Sequence, residues 1–109
     1  MDVLDELTNA VVNFRNERDW KQFHNSKDLA LALSIEASEL NELFLWKSAD
    51  EADTMRIKEE LADVLTFALL LAHERKLDIR EIVLNKLEIN EKKYPVNKAK
   101  GTAKKYNEL

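Results

Sequence analysis

Two pairs of acidic residues, each inside an apolar stretch, are the residues of this 109-residue chain best suited to chemistry. Glu36 and Glu39 form one pair, and Glu60 and Asp63 form the other, both three residues apart. Residues at this spacing share a helix face, so each pair can present two carboxylates to one point. An isolated carboxylate in apolar surroundings needs a partner, a proton or a metal. Hard oxygen ligands without His or Cys favour Mg²⁺ or Mn²⁺ over zinc.

The positions of these acids on their helices separate a site from an ordinary solvated surface. On a wheel of 100° per residue, Glu36 lies in the middle of an apolar arc and Glu39 at its edge. The residues of that arc are Leu29, Leu33, Leu40 and Leu43. Glu60 and Asp63 flank the arc that Ile57, Leu61, Val64 and Ala68 form. Either pair alone is more often solvated, but two matched pairs in apolar settings favour a cation site, provided that antiparallel packing brings the helices together.

The low glycine and proline counts predict an all-α fold. The chain has one Gly and one Pro, and no Asn-Gly turn of the kind that joins β-hairpins. Apolar periodicity predicts four helices, at about 3–18, 26 to 46 or 47, 53–75, and from 78 to just before Tyr94. Ser26 is the expected N-cap of the second helix, and Asp78 with Glu81 resembles a capping box. Residues 96–109 are expected to be extended or weakly ordered.

Composition excludes several classes of function. The chain has no Cys, which rules out disulfides and thiolate chemistry. No apolar run reaches transmembrane length, and the acidic N-terminus does not resemble a signal peptide, so we expect a cytoplasmic protein without a membrane partner. A net charge of -4 disfavours nucleic-acid binding, although the C-terminal segment is locally basic.

Longer motifs carry a family resemblance. The segments 36–40 (EASEL) and 59–64 (EELADV) resemble the paired acidic motifs of the MazG-like, all-α nucleoside triphosphate pyrophosphohydrolases. Four further segments are similar to the dCTP pyrophosphatase branch of that family: 17–24 (ERDWKQFH), 45–47 (LWK), 93–96 (KYPV) and 101–106 (GTAKKY). The resemblance covers nearly the whole chain in the right order, which makes it more specific than an acid pair.

The resemblance implies an activity and an assembly. It implies Mg²⁺-dependent cleavage of a nucleoside triphosphate to a monophosphate and pyrophosphate, with Mn²⁺ as a substitute cation. The predicted protomer resembles a four-helix bundle and assembles into a homodimer or a dimer of dimers, that is, a homotetramer. Residues 1–95 would form the MazG-like domain and residues 96–109 a basic C-terminal tail.

The resemblance also assigns roles to the acids. Glu36, Glu39, Glu60 and Asp63 would be the metal ligands. Glu36 and Glu39 are also the candidate catalytic residues, because one of them is expected to accept the proton of the attacking water; the sequence does not decide which.

The substrate-binding candidates are aromatic or can bind phosphate. Tryptophan offers a face on which a base can stack, although an aromatic in a small helical protein is more often part of the core. A loop histidine is more often an exposed surface residue, and lysines and an asparagine on one helix face are more often solvated than bound to phosphate. With the resemblance included, the candidates are Trp20, His24, Trp46, Lys47, Phe67, Lys86, Asn90 and Lys93.

Two positions depart from the dCTP pyrophosphatase branch. Phe67 stands where close relatives carry tyrosine, and Val11 stands where a histidine can line the pocket. Both changes remove hydrogen-bonding groups, so base and sugar preference stay open. The sequence predicts a dNTP pyrophosphohydrolase with a dCTP-like pyrimidine bias that sanitises the nucleotide pool. The alternatives are a broad house-cleaning NTP pyrophosphohydrolase and a non-catalytic helical oligomer with a structural cation site.

Overall fold

The computed structural model describes residues 2–109, and within them every regular element is helical, which confirms the predicted all-α class. The five α-helices are α1 (Val3–Glu17), α2 (Ser26–Glu42), α3 (Thr54–Glu74), α4 (Ile79–Lys93) and the short α5 (Val96–Ala99). Short 3₁₀ helices occur at Trp20–Phe23, Ala49–Glu51 and Tyr106–Glu108. Within the described residues, no helix combines the length and hydropathy that a membrane span requires.

The chain forms two compact units, one ending at Leu77 and the other comprising Asp78–Leu109. The first unit contains α1 to α3 and both acid pairs, and the second contains α4 and α5. The predicted boundary between a domain and a tail at residue 95 stays a prediction.

Side-chain caps determine where the long helices begin. The carboxylate of Asp2 accepts a hydrogen bond from the Asp5 backbone N–H at 2.8 Å, and Asp78 accepts one from Glu81 at 3.0 Å. The cap of α2 differs from the prediction: Asn25, not Ser26, has the extended backbone of an N-cap. Its side-chain oxygen accepts a hydrogen bond from the Asp28 N–H at 2.9 Å. Ser26 is instead the first residue of the helix.

Two predictions about these segments differ from the structure. Helix α2 ends at Glu42 rather than at residue 46 or 47, because the next three backbone N–H groups donate to carbonyls three residues back instead of four. Trp46 then adopts a left-handed φ of 61°, which an α-helix does not accommodate. Residues 96–109 are not simply extended, since α5 and a 3₁₀ turn form within them. Aromatic contacts account for this order: the rings of Tyr94 and Tyr106 lie 6.1 Å apart, and the Lys93 Nζ lies 4.9 Å from the Tyr106 ring.

The first unit is built on the packing of α2 against α3, with α1 against α3. The two main helices run antiparallel: His24, just before α2, contacts Phe67 in the second half of α3. At the other end, Glu42 shares a cavity with Arg56 near the start of α3. The buried apolar residues are few in the described chain: Leu29, Leu43, Ala52, Leu69, Leu70 and Ala72.

The cap of α2 gives a stability prediction. Asn25→Ala removes the acceptor for the Asp28 N–H, and we expect a loss of about 1 kcal/mol in the free energy of unfolding, measured by urea denaturation. Ser26→Ala is the matched control and should change the unfolding free energy by less than half as much. A larger loss for Ser26→Ala than for Asn25→Ala would contradict this assignment of the cap.

Candidate active site

Antiparallel packing brings the two acid pairs together, as the sequence predicted it should. Carboxylate oxygens of Glu36, Glu60 and Asp63 all lie within 4.8 Å of one another. These three carboxylates would be the residues to hold a divalent cation, since carboxylate oxygens are the ligands that Mg²⁺ takes in proteins.

The electrostatics of the cluster fit a divalent cation. The Oε2 atoms of Glu36 and Glu60 are buried and have no hydrogen-bond partner among the residues that the structure describes. Burial, reinforced by a hydrogen bond that the protonated Glu36 carboxyl donates to Glu39 and by the neighbouring negative charges, raises the pKa of Glu36 to about 7. Burial and Glu39 raise the pKa of Glu60 as well. Carboxyl groups held this close resist ionisation together, and a divalent cation would relieve that repulsion.

Glu39 and Asp63 occupy different settings within the cluster. Glu39 lies within hydrogen-bonding reach of the carboxyls of both Glu36 and Glu60, but it is outside the trio whose oxygens converge. Asp63 belongs to that trio and is exposed, in contrast to the apolar setting expected from its neighbours in the sequence. The cluster thus has a half-buried floor, made by Glu36 and Glu60, and a solvent-facing edge.

A cavity of about 400 Å³ opens beside the cluster. Glu39 and Glu60 line it, so it adjoins the carboxylate trio through a shared residue. Lys47 and Arg56 place two positive charges on the same walls, and Glu42 adds a third carboxylate. The volume lies within the range of ligand sites, about 300–1,000 Å³. Acids that can hold a cation and bases that can hold an anion therefore border one space.

The aromatic candidates lie in three places in the first unit. Trp20 packs edge-on against Phe14, with ring centroids 5.8 Å apart, and remains partly exposed. His24 and Phe67 make a similar contact at 6.4 Å. Phe67 lies one helical turn after Asp63 and therefore on the same face of α3. Trp46 is 98% exposed in the turn that follows α2.

The surroundings of His24 favour its neutral form. Within the described residues, its buried Nδ1 atom has no hydrogen-bond partner. Burial, with the nearby positive charge of Arg15, lowers the pKa of His24 against a smaller opposing effect of Glu74. A neutral imidazole can donate or accept a hydrogen bond to a base or sugar but contributes no charge to a phosphate.

The remaining candidates are in the second unit, on α4. Lys86 and Lys93 are exposed and Asn90 is half-buried. The Asn90 carbonyl accepts the hydrogen bond from the Tyr94 N–H at the end of the helix. The ammonium group of Lys93 already contacts the Tyr106 ring. A phosphate-binding role for these three residues stays a prediction.

Sequence reasoning did not name Arg15 or Arg56 among the candidate site residues. Arg56 is one helical turn before Glu60, a spacing that could have placed it beside the acids. Arg15 is only 3% exposed, its Nη1 atom lacks a partner, and its Nε donates to the Asn16 side chain at 3.1 Å. The signal for Arg15 was weak, because a charged residue beside the apolar stripe of α1 gives no sign of burial.

Comparison with known proteins identifies the family of the chain. The MazG-like family model matches residues 31–109. The chain is 38% identical to human (Homo sapiens) dCTP pyrophosphatase 1 over 97% of its length and 67% of the human protein, and 37% identical to the Bos taurus protein over 97% and 68%. The crystal structure of a pyrophosphatase from Archaeoglobus fulgidus superposes with a TM-score of 0.81 at 37% identity, covering 87% of this chain and 94% of that one.

The chain therefore belongs to the MazG-like family, as its motifs predicted. The relatives also confirm the predicted enzyme class, a nucleoside triphosphate pyrophosphohydrolase. The roles of individual residues stay predictions, and they are argued from the geometry below.

The raised pKa of Glu36 predicts how the metal-free protein responds to pH. A carboxyl whose pKa rises from 4.5 to about 7 on folding stabilises the fold fully below pH 4.5. That stabilisation is lost as the pH rises through 7, because the folded protein must then ionise the group. Glu36→Gln cannot ionise, so we expect its melting temperature in EDTA to exceed that of the wild type by more at pH 8 than at pH 5.

The matched control is Glu59→Gln, which changes an exposed neighbour outside the cluster. Its melting temperature should follow that of the wild type at both pH values. Parallel pH dependence in Glu36→Gln and the wild type would show that Glu36 does not carry this effect. Titration calorimetry should also show Mg²⁺ affinity rising with pH up to about 7 in the wild type, because cation and proton compete for one carboxylate.

Proposed function

We propose that the protein is a Mg²⁺-dependent pyrophosphohydrolase that cleaves deoxynucleoside triphosphates to the monophosphate and pyrophosphate. The proposed preference is for dCTP-like pyrimidines, and the proposed role is sanitation of the nucleotide pool. The convergence of Glu36, Glu60 and Asp63 beside a cavity that also contains Lys47 carries the proposal. Kinship with the mammalian dCTP pyrophosphatases supports the choice of substrate.

The four acids divide between two proposed roles. Glu36, Glu60 and Asp63 hold the cation, because their oxygens converge. When bound, Mg²⁺ supplies neutralisation of the triphosphate charge and lowers the pKa of a water molecule. Glu39 is the proposed proton acceptor, since it touches the trio without belonging to it and faces the cavity. Water adds to phosphorus, the bond to the bridging oxygen breaks, and the proton of the water passes to the Glu39 carboxylate.

The nucleoside is proposed to lie against the aromatic residues. Trp46 exposes nearly its whole ring, and base stacking on such a ring contributes about 1–3 kcal/mol. Trp20 would offer a second, partly exposed ring. His24 and Phe67 would flank the sugar or the base. Phe67 lacks the phenolic hydroxyl of a tyrosine, and Val11 lacks the imidazole of a histidine. The preference for pyrimidines is therefore expected to be weaker than in an enzyme that hydrogen-bonds the base through a tyrosine.

Product analysis tests the reaction. Wild-type protein with Mg²⁺ and a panel of dNTPs and NTPs should yield monophosphate and pyrophosphate, with dCTP among the best substrates. Glu36→Gln and a sample without metal should lose at least about 100-fold in rate, since both remove the cation from the reacting phosphate. A flat ranking across the panel would favour broad house-cleaning. No turnover by folded, metal-loaded protein, together with melting on chelation, would favour the structural cation site.

A homodimer or dimer of dimers is the proposed assembly. The enclosed core is small, while many large apolar side chains are exposed in each unit. Leu31 and Ile35 lie one turn apart on α2, and Leu61 and Leu65 repeat this spacing on α3. Helix α4 exposes a further set: Ile82, Val83, Leu84, Leu87 and Ile89. A second copy of the chain, which carries the same apolar faces, is the proposed cover.

Sedimentation equilibrium tests the assembly. The wild type should have at least twice the mass of one 12.7 kDa chain at micromolar concentration. Ile35→Glu puts a charge on the exposed apolar face of α2 and should weaken association by about tenfold or more. Asn41→Glu, also exposed on α2, should leave the mass unchanged. A monomeric wild type would contradict the proposed assembly.

A cytoplasmic setting and the absence of a nucleic-acid partner stay predictions from the sequence.

A further inference from the structure

Arg56 lines the cavity beside the carboxylate cluster without engaging any of the acids there. It shares the cavity with Glu39, Glu42 and Glu60. Within the described residues, no hydrogen bond or ion pair engages its guanidinium group, although Glu60 is only one turn away on the same helix face. A guanidinium that borders three carboxylates and pairs with none is available to an anion that enters from solvent.

The order of the groups along α3 indicates how that anion would be oriented in the site. Arg56 precedes Glu60 by four residues, about 6 Å along the helix axis, and Asp63 follows Glu60 by one turn. Phe67, with its contact to His24, comes one turn later still. A ligand that lies along this face meets the Arg56 guanidinium first, then the acids that would bind the metal ion, and finally the aromatic residues. Only the first of these groups can hold a phosphate directly without a metal.

Lys47 strengthens the same end of the cavity. It lies in the segment after α2 and lines the cavity together with Arg56. A guanidinium can form two parallel hydrogen bonds to one phosphate, while an ammonium acts as a compact charge. Arg56 is therefore the better candidate for fixing the orientation of a phosphate, and Lys47 for adding attraction.

We propose that Arg56 binds the β and γ phosphates of the substrate and so orients the triphosphate toward the start of α3. This inference rests on the proposed function, because it names the phosphates that the same site would hold. The ordinary alternative is that Arg56 is simply a solvated residue on an exposed helix face, which is the commoner state of a surface arginine. The two readings differ in whether polyphosphate binding depends on this side chain.

The test compares Arg56→Gln with Lys58→Gln, which removes a positive charge from the same helix outside the cavity. Titration calorimetry in Mg²⁺ would measure the binding of inorganic tripolyphosphate, which has no base, and of dCMP, which has no β or γ phosphate. We expect the tripolyphosphate Kd to rise about tenfold in Arg56→Gln, in line with the loss of one charge-assisted hydrogen bond. The dCMP Kd should change by less than about twofold. Arg56→Lys should recover part of the affinity.

An unchanged tripolyphosphate Kd in Arg56→Gln would overturn the inference, and so would an equal loss for dCMP. An equal effect of Lys58→Gln would overturn it as well, since the charge of the helix, and not this position, would then be responsible. The calorimetry requires no turnover. Arg56-dependent tripolyphosphate binding by a protein that cleaves no nucleotide would support this anion site while contradicting the proposed function.

Discussion

Repulsion among carboxylates at the contact of α2 with α3 is the constraint on which the rest of the molecule depends. Glu36 and Glu60 come from different helices, and within the described residues their buried Oε2 atoms have no hydrogen-bond partner. Burial, the Glu39 carboxyl and the charge of Asp63 raise the pKa of both groups, so ionising them together in this setting is unfavourable. The apolar packing of the two helices must overcome this repulsion. Leu29, enclosed on α2, and Leu69 and Leu70, enclosed on α3, provide that packing.

Retention of these acids argues for a role in chemistry and against a role in stability. Replacing buried charges by apolar residues of similar volume is often neutral or stabilising. A scaffold without a cation would therefore gain from apolar residues at Glu36 and Glu60. A purely structural cation site would explain the acids but not the two basic residues, Lys47 and Arg56, that line the adjoining cavity. A polyphosphate ligand accounts for both sets of charges together.

Those features that follow from periodicity could be predicted from the sequence. The four long helices follow from apolar spacing, whereas the meeting of the two acid pairs also required the antiparallel packing of α2 against α3. The end of α2 could not be predicted, because the apolar pattern continues through Leu45 while the backbone at Trp46 turns left-handed. Burial of Arg15 and exposure of Asp63 depend on how neighbouring helices cover them, which one helix wheel does not contain.

The strained backbone at Trp46 is related to the proposed binding of the substrate base. A bulky residue in the left-handed region costs about 1–2 kcal/mol, and structures retain such strain where the surroundings or a function require it. The Trp46 side chain is 98% exposed, so little of the described protein covers it. The strain is therefore not offset by burial of the indole ring. The turn does place the ring next to Lys47, a residue of the cavity wall. A base stacked on the indole would bury this surface and give the strained turn a function.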